Sequence, residues 1–204
     1  MARSCKQGML KVVGADLLSV EGDAIVSPAD NRLSGLYGLA KTIRDAAGEE
    51  LTAACRAISI EQRKLNLPPC PPMTTVVTPA FGLADRYKHI LHTVGPDCRR
   101  PNQDRDRREM LPQAYQSLFD AVRDLDGVRT LVAPPVSMGT FVYPHREGAR
   151  LSLEVLLTWL DGPEPCGIDE YIMVVSDPNF ISNMRVVYRE TEDQLPGMDV
   201  TNLP

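Results

Sequence analysis

No two of the chain's cysteines stand close enough to form a CxxC pair. The five (Cys5, Cys55, Cys70, Cys98 and Cys166) are odd in number and widely spaced. Such spacing supports neither a disulfide framework nor a zinc site, and isolated thiols suit a reducing cytosol. Positive charge is also scarce, with 22 basic residues against 27 acidic ones and a net charge of −5. Nucleic acid is therefore not an expected partner, because binding it takes a cationic surface that displaces counterions. An anionic ligand would have to be held by local main-chain donors instead. Residues Met1 to Lys6 lack the apolar core of a signal peptide, and no run approaches the length of a membrane span. The expectation is a soluble, cytoplasmic monomer with no membrane partner. There is no internal repeat. The remaining composition, 43% hydrophobic and 24% charged over 204 residues, fits one globular domain with a single core. That domain is expected over residues 1–190, followed by a polar, proline-spotted tail, 191–204, read as mobile.

Apolar runs alternate with helical patterns along the chain. Strands are expected over Met9–Val13, Asp23–Val26, Thr74–Thr78, His89–Val94, Thr130–Ala133 and Tyr171–Val175. Helices are expected over Leu39–Ala47, closed by Gly48, and over Glu49–Ile58, Met110–Asp124, Gly148–Leu160 and Phe180–Tyr188. The proline run from Leu67 to Pro72 can be neither element. Strands alternating with helices predict an α/β fold with a largely parallel sheet covered on both faces.

Two loops carry the functional signal. Ser27-Pro28-Ala29-Asp30-Asn31-Arg32-Leu33-Ser34-Gly35-Leu36-Tyr37-Gly38 joins an expected strand to an expected helix. Strand-to-helix turns of this kind hold anions, because their amides and the helix's positive end face one spot. About a hundred residues on, Ser137-Met138-Gly139-Thr140-Phe141-Val142-Tyr143-Pro144 has the same character. Asp16 follows the first strand, where an Asp also serves as a turn or helix cap. His89 and His92 point to opposite faces of a strand, so they do not form a metal pair, and no metal site is expected. Arg99, Arg100, Arg105, Arg107 and Arg108 lie among acidic residues and read as a solvated loop, with an accessory contact to an acidic partner as the alternative.

In this order these pieces resemble the macro domain family. The first loop aligns without a gap to Asn-Ala-Ala-Asn…Gly-Gly-Gly-Gly-Val-Asp-Gly-Ala-Ile, and the second to Ser-Thr-Gly-Ile-Tyr-Gly-Tyr-Pro. Tyr87 to Pro96 is similar to Tyr-Val-Ile-His-Thr-Val-Gly-Pro, and Thr78-Pro79-Ala80-Phe81 to Thr-Pro-Gly-Tyr. The resemblance spans about residues 10–190. It implies a three-layer α/β/α sandwich with a mixed, mostly parallel sheet, no cofactor, and ADP-ribose or ADP-ribosylated protein as the partner.

It also implies roles for residues. Asp16, with Leu17, would read the adenine. Gly35, Leu36, Tyr37 and Gly38 would hold the diphosphate from one side, and Ser137, Gly139, Thr140, Phe141 and Val142 from the other. Asp30 and Phe141 would lie near the distal ribose. The departures matter chemically. Leu36 and Tyr37 replace the inner glycines, Val142 replaces another, and Asp30 can only accept hydrogen bonds where Asn could also donate. Ala40 stands where hydrolytic members carry an Asp that orients water. A binding module is the first expectation. A hydrolase using Asp30, Asn31 or His145 as a substitute base is the second. A ligand-less fold serving as a protein-interaction surface is the third.

Overall fold

The computed structural model describes residues 1–99 and 107–190. The expected mobile tail and the residues Arg100, Asp104, Arg105 and Asp106 lie outside them. Strands β1 (Ala2–Ser4), β2 (Met9–Gly14), β3 (Ala24–Pro28), β4 (Thr75–Pro79), β5 (His89–Thr93), β6 (Thr130–Ala133) and β7 (Glu170–Val175) form one sheet. Its order is β1-β2-β7-β6-β3-β5-β4. The five inner strands run parallel, and the edge strands β1 and β4 are antiparallel to their neighbours. Helices α1 (Gly38–Ala47), α2 (Glu49–Lys64), α3 (Arg107–Arg123), α4 (His145–Leu160) and α5 (Pro178–Glu190) cover it.

Alternation along the strands sorts the core into two faces. Ala24 and Val26 of β3, Leu131 and Ala133 of β6, and Tyr171 and Met173 of β7 pack toward α3, α4 and α5. Ile25, Val132, Ile172 and Val174 point the other way, toward Ile43 and Ala47 of α1 and Leu51 and Cys55 of α2. The result is the three-layer α/β/α sandwich with a mixed, mostly parallel sheet. His92 is part of this packing rather than a metal ligand. Its Nε2 lies 3.0 Å from Thr78 Oγ1, and burial holds its pKa down to about 4.

The topology also sets where a ligand can bind. Neighbouring strands β3 and β6 send their following helices to opposite faces, α1 and α2 to one and α4 to the other. Loops that part in this way leave a crevice beyond the carboxyl ends of the strands. Helices α3 and α4 each begin three residues earlier than expected, and the two largest departures are β1 and α2. β1 is too short to show a periodicity, and it is fixed by pairing Ala2 with Lys11 and Ser4 with Met9. Helix α2 continues to Lys64 instead of ending near Ile58, with the basic pair Arg63 and Lys64 in its last turn.

Candidate functional site

A cavity of about 620 Å³ occupies that crevice. The loop after β3 contributes Asp30, Asn31, Ser34, Leu36, Tyr37 and Gly38, with Ala40 from the first turn of α1. The loop after β6 contributes Ser137, Gly139, Thr140 and Phe141. A Cβ on Gly38 would lie 3.3 Å from Thr140 Oγ1, so the two loops meet there. Gly38 (φ 56°) and Gly35 (φ 54°) both adopt the left-handed conformation that favours glycine. Tyr37 is extended (φ −140°, ψ 155°), and Leu36 has no positive φ. The two glycines that the sequence keeps are therefore the ones the backbone demands, and the two replaced positions accept side chains. Both replacements are exposed at the mouth of the cavity.

The main-chain donors of these loops are free. Among the described residues, the N–H groups of residues 35–38 and 139–141 have no acceptor within the protein. Helix α1 begins without a side-chain cap and with no acidic residue in its first turn. An uncapped helix start beside two donor-rich loops favours an anion. Ser137 adds a hydroxyl that is buried and without a partner. Its residue sits at φ 66° and packs so closely over Gly95 that any side chain at position 95 would collide with Ser137 Oγ.

Carboxylates and a guanidinium mark the walls. Asp30 Oδ1 accepts from the amides of Arg32 (2.7 Å) and Ser34 (3.3 Å), and Oδ2 accepts from the Ser34 hydroxyl. It is thus the hub of its own loop. Arg99, bidentate to Asp97 at 2.8 and 2.7 Å, stands 5.2 Å from the centre of the Phe141 ring. Both Arg99 and Phe141 line the cavity.

Five expected residues lie outside the lining. Asp16 caps a short 3-10 turn, its Oδ1 accepting from Leu18 N–H at 2.9 Å. Leu17 is buried against the α1–α2 side of the core. Gly35 instead lines a smaller cavity beside the Arg44 side chain. Val142 is exposed at φ 50°, a strained conformation for a β-branched residue. His145 Nε2 donates to the Met138 carbonyl at 3.0 Å, which leaves that nitrogen no lone pair for base chemistry.

The arginine cluster also differs from the solvated loop expected of it. Arg107 and Arg108 open α3, and Arg107 grips Glu147 at 3.0 and 3.1 Å. Sequence reading missed the fourth wall, made by Val174, Val175, Ser176, Asp177 and Phe180. Topology could have supplied it, since a parallel strand β7 ends at the same sheet edge as β3 and β6.

A sequence model of the family described as the Macro domain matches residues 26–152. An O-acetyl-ADP-ribose deacetylase of Cronobacter sakazakii is 31% identical over 93% of this chain and 98% of its own length. Another protein of that name, from Cronobacter turicensis, is 29% identical over 88% of this chain and 96% of its own. Among solved structures, the Oceanobacillus iheyensis macrodomain with MES bound superposes with a TM-score of 0.81 at 22% identity, over 95% of this chain and 97% of that one. The Trypanosoma brucei macrodomain in complex with ADP-ribose gives 0.70 at 21% identity, over 87% and 68%. With the family model spanning more than half of its residues and a relative of that identity matched over nearly its whole length, the chain belongs to the macro domain family.

Proposed function

We propose that this protein binds ADP-ribose, free or attached to protein, in the cavity between the loops after β3 and β6. The observation that carries the reading is the set of main-chain N–H groups at residues 36–38 and 139–141, all residues of the cavity lining, which have no acceptor among the described residues. They suit a diphosphate, and the cavity's size suits a nucleotide-sized ligand. Binding is favoured over hydrolysis because each acid–base group near the walls is already engaged, Asp177 by the Asn179 N–H at 2.7 Å. Ala40 carries no polar group, Asp30 is committed to Arg32 and Ser34, and His145 stands outside with its Nε2 donating. Selective ligand stabilisation tests the reading. ADP-ribose should raise the melting temperature by an amount that grows with the logarithm of its excess over Kd, and equal melting with and without it contradicts the proposal.

A second reading has its own support. Relatives of similar length carry the name O-acetyl-ADP-ribose deacetylase, and the Asp30 carboxylate and the Asn31 side chain both belong to the cavity wall. In this reading Asp30 takes a proton from water as the water adds to the ester carbonyl, and returns it to the ribose oxygen as the acyl C–O bond breaks, releasing acetate and ADP-ribose. Turnover of O-acetyl-ADP-ribose that vanishes in Asp30→Ala would establish it. Absence of turnover alongside tight binding supports the module.

A further inference from the structure

Arg44 lies on α1 one turn after Ala40, on the side that faces the first loop. It is half-buried. Its Nη1 donates to the Ser34 carbonyl, and its Nε donates to Thr52 Oγ1 of α2 at 3.0 Å. The stem fills the space under Gly35, where a Cβ would come within 2.8 Å of Arg44 Cδ. Gly35 is therefore needed twice over, for its positive φ and for the room it leaves to this arginine. Among the described residues no carboxylate pairs with Arg44; its hydrogen-bond partners are a carbonyl and a hydroxyl. With Ala40 and His92 it lines a cavity of about 20 Å³ directly behind the loop.

We propose that Arg44 is the fixed counter-charge for the anionic part of the ligand, acting through the first loop without touching the ligand itself. A half-buried guanidinium that no carboxylate contacts keeps part of its charge uncompensated, because dipolar acceptors satisfy its N–H groups but not its charge. An anion on the far side of the loop neutralises it. The need is local, because Asp30 places a negative charge on the cavity wall and the whole chain is acidic at −5. By holding the Ser34 carbonyl, Arg44 also fixes the backbone from which residues 36–38 present their amides. It is a positioning residue that selects phosphorylated ligands over bare nucleosides. The inference rests on the cavity being the ADP-ribose site.

Calorimetric titration of the wild type, Arg44→Gln and Arg44→Lys with ADP-ribose, ADP and adenosine, at low and high salt, tests it. Arg44→Gln should weaken ADP-ribose and ADP by about tenfold or more, leave adenosine unchanged, and flatten the salt dependence. Arg44→Lys should recover much of the loss, since it keeps the charge. Arg44→Met keeps the stem packed under Gly35 and replaces the Gln variant if that one fails to fold. Unchanged ADP-ribose affinity in a folded neutral variant overturns the proposal. So does an equal loss of adenosine, or a Lys variant no better than Gln. A wild type that binds adenosine but not ADP-ribose overturns the cavity reading itself, a result distinct from these.

Discussion

At the scale of single residues, Gly38 and Gly139 separate shape from chemistry. Gly38 sits at φ 56° with Thr140 Oγ1 3.3 Å from its missing Cβ, whereas nothing lies within 4 Å of a Cβ at Gly139. Gly38→Ala should therefore cost about 1 kcal/mol or more of stability, read by urea denaturation. Gly139→Glu should melt close to wild type yet lose most ADP-ribose affinity, because it adds a carboxylate at the proposed diphosphate site. Retained binding would move the diphosphate elsewhere. Asp30 gives the converse case. Its contacts are accepted from Arg32 N–H, Ser34 N–H and the Ser34 hydroxyl. Asn can keep the first two and donate to the third, so Asp30→Asn should preserve the loop while removing a charge. ADP-ribose affinity should rise about fivefold, of the order of a surface charge interaction, and a fall would show that the carboxylate itself is used. The motif was legible at this scale, and the backbone was not. The sequence shows that Leu36 and Tyr37 replace glycines, but only φ shows that those two positions never needed glycine.

Among the elements, the joint between α3 and α4 supports the second loop. Glu147, in the first turn of α4, accepts from Arg107 at 3.0 and 3.1 Å and from the Tyr143 hydroxyl at 3.1 Å. Its side chain and that of Arg107 are each 18% exposed. Hydrogen bonds from Arg107 are the main cause holding the Glu147 carboxyl down to about 2, well below the ordinary 4.5. A depressed carboxyl stabilises the fold fully above its unfolded pKa, and that contribution is lost as pH falls from about 4.5 toward 2. Glu147→Gln should therefore narrow the gap in urea midpoint between pH 6 and pH 3; an unchanged gap would assign acid sensitivity to other groups. Most elements could be read from periodicity because their apolar positions are regular, as in α3 with Leu111, Ala114, Tyr115, Leu118 and Phe119. The Arg107–Glu147 pairing could not, since it joins residues forty positions apart through tertiary packing. β1 was hidden for the same reason, as its hydrogen bonds to β2, and no pattern of its own, make it a strand.

For the molecule as a whole, the parallel inner sheet brings the loops after β3, β5, β6 and β7 to one edge, and the cavity lies among them. The sandwich was legible in the alternation of strands and helices. The full perimeter of the site was not, because Val175, Asp177 and Phe180 join it through strand order. In the proposed site the free amides of the two signature loops act together on a diphosphate. Calorimetric titration of the wild-type protein with ADP-ribose, and with ADP, AMP and adenosine under the same conditions, tests this most directly. ADP-ribose should bind saturably and one to one, with ADP weaker, AMP weaker again and adenosine weakest. Equal affinity for ADP-ribose and adenosine, or no heat with any of the four, would contradict it.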